Sequence, residues 1–265
     1  MNIQVSIVMP TFNSEIYISE SIKSVLNQHF HDWELLIIDG GSTDNTLRIV
    51  EQFSVSDPRV NLIKNSDDCG PAHARSKGIR AARGEYIAFL DADDIWLPSK
   101  LEAQVKFMEH NNYSFTYTLY SQISSNGLNL TAPLQAKKSY SFPGYLGCRG
   151  IGNLTVIVRR DIFTSSILNT FKYRAEDTIW WLLILRSGVI AYLLPQVLAQ
   201  YRITPGSLSS QRVKNQSAVW RAYRDVFGLG IFVCSFYYAS YVVDVLLRKL
   251  RLAPTSFLTR KFQAE

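Results

Sequence analysis

VSIVMPTFN at residues 5–13 and LLIIDGGSTDNT at residues 35–46 decide the fold class. Each begins as a continuous apolar run of strand length and then breaks into small and polar residues, the pattern of a strand buried on both faces that ends at a rim. Between them Ile18, Ile22, Val25 and Leu26 recur at the spacing of one helix face, and Asn13-Ser14 reads as the N-cap. The alternation continues with residues 42–53 helical, 60–63 a strand, 71–83 helical, 86–90 a strand and 98–111 helical. Strand, helix, strand in this order predicts βαβ units, a mostly parallel sheet covered on both faces, and ligands beyond the carboxyl ends of the strands. Pro10-Thr11-Phe12-Asn13, Asp39-Gly40-Gly41-Ser42 and Asp91-Ala92-Asp93-Asp94 all fall at such ends.

After residue 111 the rhythm loosens. Residues 121–145, rich in Ser, Asn, Gly and Pro, read as a long loop, followed by strands at 154–158 and 197–201 with an apolar helix starting at 179 between them. Cys69, Cys148 and Cys234 are far apart and have no Cys or His cluster beside them, which excludes a disulfide scaffold or structural zinc and implies a reducing compartment. The first residues carry no basic region and too short an apolar run for a signal peptide, so the expected location is the cytosol or its membrane surface.

The charge is unevenly placed. The formal charge of +6 belongs entirely to residues 211–265, because residues 1–210 balance 19 basic against 19 acidic side chains. That divides the chain into a neutral region at 1–210 and a basic appendage at 211–265.

Three motifs carry chemistry. The acidic triplet Asp91, Asp93 and Asp94 follows an apolar strand; packed carboxylates repel unless a cation or donors offset them, which fits Mg²⁺ or Mn²⁺ shared with a diphosphate, or else a solvated turn that caps the next segment. Gly40-Gly41 before Ser42-Thr43-Asp44 allows a sharp turn and close approach to a ligand, although capping alone accounts for the polar run. In CGPAHARSKGI, residues 69–79, Arg75 and Lys77 point toward the same rim as candidates for a phosphate or a base, while His73 reads as a packed or solvated histidine.

Together, Pro10-Thr11-Phe12-Asn13, the run from Asp39 to Thr46, Gly70-Pro71 through Arg75 to Gly78-Ile79, and Gly84-Glu85-Tyr86-Ile87 leading into Asp91-Ala92-Asp93-Asp94 resemble the inverting family 2 of glycosyltransferases with the GT-A fold, over about residues 3–105. The resemblance implies 1–105 as the nucleotide-sugar half and 106–210 as the acceptor half of a GT-A-like catalytic domain. It implies Asp93 as the metal-binding carboxylate of the DxD signature, with Ala92 within the motif, Asp91 near the ribose or sugar and Asp94 in support. It further implies Pro10, Thr11 and Asn13 around the base, and Asp39 and Arg75 on the base or pyrophosphate. Where many members have Asp-Asp-Gly-Ser, this chain has Asp39-Gly40-Gly41-Ser42.

Glu176-Asp177 resembles the Glu-Asp motif at the start of the family's acceptor-side helix. It implies Asp177 as the catalytic base and Glu176 as its orienting partner, though a charge pair favourable at a helix N-terminus would look the same. Trp180 and Trp181 are candidates either to stack on a sugar face or to pack in the core. Arg202, in the segment resembling the one that closes this domain, is a candidate acceptor-side or diphosphate contact; Thr204 stands where relatives often carry His.

Residues 226–247 form an apolar run of 22 residues holding one charge, Asp244, with Arg221 and Arg224 before it and Arg248, Lys249 and Arg251 after it. The length suffices to cross a bilayer, but Asp244 and Tyr237, Tyr238 and Tyr241 favour an element lying on the cytosolic face; packing on the catalytic domain or at a contact between two copies is the competing reading.

The expected function is metal-dependent transfer of a hexose from a UDP-sugar to a lipid-linked saccharide, with inversion, in the assembly of O-antigen, capsule or exopolysaccharide. The alternatives are a rhamnosyl- or other deoxysugar transferase using a dTDP or GDP donor, and a noncatalytic sugar-nucleotide-binding module. A nucleotidyltransferase would need a Gly-rich basic triphosphate loop after the first strand, which PTFNSE is not, and the basic excess beside an apolar run disfavours nucleic acid.

Overall fold

The computed structural model describes residues 3–64, 70–131, 136–148, 150–170, 176–204 and 212–251; Cys69, the 205–211 segment and the 252–265 tail lie outside the described residues. The first half runs β1 (Val5–Thr11), α1 (Ile18–Leu26), β2 (Trp33–Asp39), α2 (Thr46–Ser56), β3 (Val60–Lys64), α3 (Gly70–Ala81) and β4 (Tyr86–Phe89). The second runs β5 (Ile95–Trp96), α4 (Lys100–Asn111), β6 (Phe115–Ser124), β7 (Asn129–Thr131), β8 (Ser139–Tyr140), α5 (Phe142–Leu146), β9 (Ile157–Arg159), α6 (Ser165–Leu168), α7 (Glu176–Arg186), β10 (Ala191–Ile203), α8 (Arg212–Asp225) and α9 (Ile231–Arg251).

The strands form one sheet in the order β3-β2-β1-β4-β9-β6-β10-β5, mostly parallel by length of ladder, with short antiparallel β9 joining the two halves. Every residue of β1 and β2 is buried. Alternate side chains serve opposite cores: Val5, Ile7 and Met9 pack with α1 and α4, while Val8 packs with α3 and α7. This two-sided burial is why the strands read as unbroken apolar runs.

The chain order 3-2-1-4 puts the first sequence-order reversal between β1 and β4. Their ladder ends at Val8↔Phe89, while β1 stays paired with β2 as far as Thr11↔Asp39. The Val8 carbonyl accepts from Leu90 N–H on the β4 side and the Thr11 carbonyl from Gly40 N–H on the β2 side. Pro10, in phase with Val8, therefore faces the side where pairing has ceased, and its missing N–H leaves no ladder bond unmade. A crevice opens there, at the carboxyl ends of the strands, where doubly wound sheets bind ligands.

Several boundaries differ from the sequence reading. The first helix starts at Ile18 after Tyr17, with no side-chain cap, and Asn13 sits in the left-handed region at φ 47°. The second begins at Thr46 rather than Ser42, because the N–H groups of Thr43 and Asn45 donate to the Asn13 and Glu15 side chains of the neighbouring loop and Ser42 Oγ accepts Asn13 N–H. The stretch 121–145 is not one long loop: β6 runs to Ser124 as an interior strand between β9 and β10, and β7, β8 and α5 follow. The strand expected at 154–158 opens as a 3₁₀ turn, Asn153–Thr155, before β9, and the last strand is 13 residues long.

The appendage packs on the sheet's helical layer. Val219, Ala222, Tyr223 and Phe227 of the α8 region and Cys234 and Tyr241 of α9 belong to the same buried cluster as α7. The Tyr223 hydroxyl donates to the Leu146 carbonyl, and Trp220 meets Tyr238 edge-on at 5.4 Å. Among the described residues no helix is long and apolar enough to cross a membrane. Cys148 and Cys234 are buried.

Candidate functional site

Two loops wall the crevice on the β1–β2 side and are stitched to each other. Ser42 Oγ accepts Asn13 N–H at 2.9 Å, Asn13 Oδ1 accepts Thr43 N–H at 2.8 Å, and Thr46 Oγ1 accepts Ser14 N–H at 2.7 Å. Glu15 Oε2 receives both the backbone N–H and the side-chain amide of Asn45 at 2.9 and 2.8 Å, while Asp44 accepts Glu15 N–H. Asp39, buried at the end of β2, folds its own loop: its carboxylate accepts N–H of Gly41 and Ser42 at 3.0 Å and the Ser42 hydroxyl at 2.5 Å. Thr11 is buried beside them, and its Oγ1 has no hydrogen-bond partner among the described residues.

On the β4 side stands the acidic turn. Asp91 receives the guanidinium of buried Arg75 at 2.6 Å. Arg75 reaches it because α3 lies close on the sheet at Gly78, where a Cβ would stand 2.6 Å from Val8 and 2.7 Å from Ile38. Asp94 is 1% exposed and accepts Arg202 N–H at 2.9 Å; burial, then Asp93 and Asp91, push its carboxyl well above the usual carboxylate range. At Asp93 it is the backbone carbonyl, not the carboxylate, that accepts from the Arg202 guanidinium, and burial together with Asp91 pushes its carboxyl up to about 6. The turn thus holds more negative charge than its surroundings neutralise, which favours a cation.

Among the described residues no three His, Cys, Asp or Glu side chains group into a self-sufficient metal centre. Asp93 with Asp91 instead offers the one or two hard oxygen ligands that suit an ion completing its shell from phosphate oxygens and water. The residues present fit a divalent ion in that sense.

Arg202, the candidate acceptor-side or diphosphate contact, lies inside the protein near the end of β10. It is 3% exposed: its Nε donates to the Asp93 carbonyl at 2.8 Å, Nη2 to Glu20 at 2.6 Å, and Nη1 to the Ser124 and Ser125 carbonyls at 3.4 and 3.3 Å, with the guanidinium over the Tyr17 ring. With its donors so engaged it braces the acidic turn against α1 and β6.

Of the two readings of Trp180 and Trp181, packing in the core is the one their burial favours. They are 1% and 0% exposed, so neither presents a face to a sugar; both pack on Phe89, at 6.5 and 5.6 Å, and Trp180 Nε1 donates to Thr170 at 3.0 Å. Phe89 lies two residues before Asp91, so the second turn of α7 packs on the strand that leads into the acidic turn. Asp177 is partly exposed, its Oδ1 accepting Thr178 N–H at 2.7 Å, while the Glu176 side chain lies outside the described ones.

Sequence reasoning missed Glu20 and Tyr17, whose signal was only helix periodicity, and Asn153. Asn153 sits in the 3₁₀ turn that leads into β9, and its buried Nδ2 has no partner among the described residues. A separate concavity of about 490 Å³ between Gln4, Arg83, Glu85, Arg160 and Asp161 lies at the amino ends of β1 and β4 and contains none of these groups.

The comparisons agree with this geometry. The profile of Glycosyl transferase family 2 matches residues 6–177. TuaG of Bacillus subtilis (strain 168), a glycosyltransferase named for teichuronic acid biosynthesis, is 32% identical over 93% of this chain and 97% of its own. WfgD of Escherichia coli, a UDP-Glc:α-D-GlcNAc-diphosphoundecaprenol β-1,3-glucosyltransferase, is 39% identical over 82% of this chain and 83% of its own. Among solved structures, TarS 1–349 of S. aureus in complex with UDP-GlcNAc superposes with TM-score 0.68 at 18% identity, covering 99% of this chain and 77% of that one. The mannosyltransferase PcManGT from Pyrobaculum calidifontis, in complex with GDP-Man and Mn²⁺, gives 0.67 at 16%, covering 98% and 79%. Both structural likenesses are of fold alone, and they bear out a GT-A-like architecture.

Proposed function

The chain belongs to glycosyl transferase family 2 and is a glycosyltransferase, and from that premise we propose that it moves a hexose from a UDP-sugar, with inversion, to a diphosphate-linked lipid saccharide in surface polysaccharide assembly. The observation that carries the reading is the acidic turn at the β1–β4 crevice, with the Asp93 carboxylate left to meet a cation. UDP-glucose is the first donor candidate and a GlcNAc-diphospholipid the first acceptor, since WfgD and a second Escherichia coli relative, WfaP, 32% identical over 89% of this chain, are named for that pair.

In this reading the 10–13 and 39–43 loops hold the nucleotide, Thr11 Oγ1 turning to it as its missing partner. Arg75 holds Asp91 toward the donor's ribose or sugar, and Asp93 holds Mn²⁺ or Mg²⁺. When bound, that ion would supply positive charge to the diphosphate leaving group. Asp177 takes the proton of the acceptor hydroxyl as that oxygen bonds to the anomeric carbon, the carbon–oxygen bond to UDP breaks, and the configuration inverts; the alcohol becomes acidic only as bonding develops, so a carboxylate suffices as base. Residues 1–210 carry the chemistry and 211–265 serve the approach to the acceptor at the inner membrane face.

The test is transfer from a panel of nucleotide sugars to a GlcNAc-diphospholipid, with Mn²⁺ or with chelator. Preference for UDP-glucose, loss on chelation, and loss in Asp93→Ala and Asp177→Asn with donor binding kept by the latter are expected. Full turnover with chelator, or transfer retained by Asp177→Asn, overturns the corresponding role, and preference for a dTDP or GDP donor overturns the donor.

A further inference from the structure

Apolar side chains in α9 are divided between two opposite faces. Cys234 and Tyr241 point into the cluster shared with α7 and α8, and Tyr237 packs against it. The other side is left open: Ile231 is 58% exposed, Phe232 88%, Val233 46%, Phe236 67% and Val243 53%. At about 100° per residue, Ile231, Phe232, Phe236 and Val233 span an arc of about 200° at the amino end of the helix. Exposed phenylalanines grouped in this way mark a surface that meets another apolar phase.

We infer that this outward face of α9 inserts into the headgroup–acyl boundary of an anionic membrane, with the helix lying in the plane of the surface. Three observations select lipid over a second copy of the chain. The arc is broader than the narrow seam by which two helices interlock, and a bilayer, having no fixed partner ridge, accommodates such breadth. All of the chain's excess positive charge, 9 basic against 3 acidic residues, lies in residues 211–265; it opposes association of two such surfaces and complements acidic headgroups. Exposed Arg221 and Arg224 precede the helix, the latter donating to the Leu229 carbonyl in the turn that presents Ile231 and Phe232. With no described helix long and apolar enough to cross, the contact is interfacial. The inference deepens the proposed function, resting on it only for the purpose of the contact, which is to bring the crevice to a lipid-linked acceptor.

The experiment is co-sedimentation of the full chain with vesicles of equimolar phosphatidylglycerol and phosphatidylcholine, and with phosphatidylcholine alone. Binding to the mixed vesicles that weakens with salt, and a partition coefficient at least about tenfold lower for F232S/F236S, are expected from the loss of two inserted rings. A separate Phe232→Trp variant reports insertion as a blue shift of emission on adding mixed vesicles. Equal partition of wild type and double variant, or unshifted emission, overturns the inference, as does a wild-type oligomer without lipid that the double variant converts to monomer, which would assign the face to a second copy. Failures are separable: a chain that transfers sugar to detergent-dispersed acceptor yet ignores vesicles refutes only the membrane face, and one that binds vesicles but transfers nothing refutes only the catalytic reading.

Discussion

Asp93 is kept in an unfavourable place for a charge, and proton counting gives the direction of its effect. Its carboxyl is raised from 3.8 to about 6, so between those values the folded chain holds a proton that the unfolded chain has released, and stability falls as pH rises through that window. Asp93→Asn removes this penalty: unfolding at pH 7.5 should become harder by about 1–3 kcal/mol, with the advantage over wild type vanishing near pH 4. Thermal melts across pH check it, and equal melting temperatures at pH 7.5 would show that the charge is already neutralised. Thr11 offers a second test. Its hydroxyl is buried with no partner among the described residues, so Thr11→Val should leave the unliganded chain as stable or up to ~1 kcal/mol more stable, while weakening UDP binding about five- to tenfold, the worth of one hydrogen bond. Calorimetric UDP binding equal to wild type would detach Thr11 from the nucleotide.

At the scale of elements, α3 must lie close enough to the sheet for Arg75 to reach Asp91, and Gly78 sets that distance. Its missing Cβ would lie within 2.7 Å of Val8 and Ile38 side chains, both at 0% exposure and unable to yield. Gly78→Ala should cost about 1–3 kcal/mol and weaken donor binding by shifting α3 and its arginine; a variant that melts like wild type would mean the helix is free to slide. The sequence announced α3 and the parallel strands because their burial pattern is written along the chain. It concealed β6, since a strand flanked by β9 and β10 is fixed by partners remote in sequence, and its turn-rich continuation masked Phe115–Ser124. The site was legible to the same extent. Asp91, Asp93 and Asp177 stand out as chemistry at element ends, whereas the role of Arg202 depends on Glu20, a contact across 182 positions of chain that no local pattern carries.

For the whole molecule, the basic segment after residue 210 reads as a detachable appendage, because hydropathy sums over a helix without assigning its faces. The fold assigns them. Val219, Ala222, Tyr223 and Phe227 fill one cluster with α5 and α7, Phe227 lies 5.6 Å from Phe142, and Gly147 admits Ser240 so closely that a Cβ there would stand 2.9 Å from it. A chain ending at residue 204 would therefore open the face of the layer that carries Trp180 and Trp181, the pair that docks α7 against β4. That truncation should lose its cooperative melting transition and aggregate, even though every residue assigned to the reaction is still present. The outward substitutions F232S/F236S should by contrast stay within about 0.5 kcal/mol of wild type, as surface changes do. Size-exclusion chromatography and melting of the two proteins side by side decide the point: a monomeric truncation melting with the intact chain would make the C-terminal helices an independent unit, whereas the predicted contrast makes them one wall of the catalytic core whose other side is free to meet lipid.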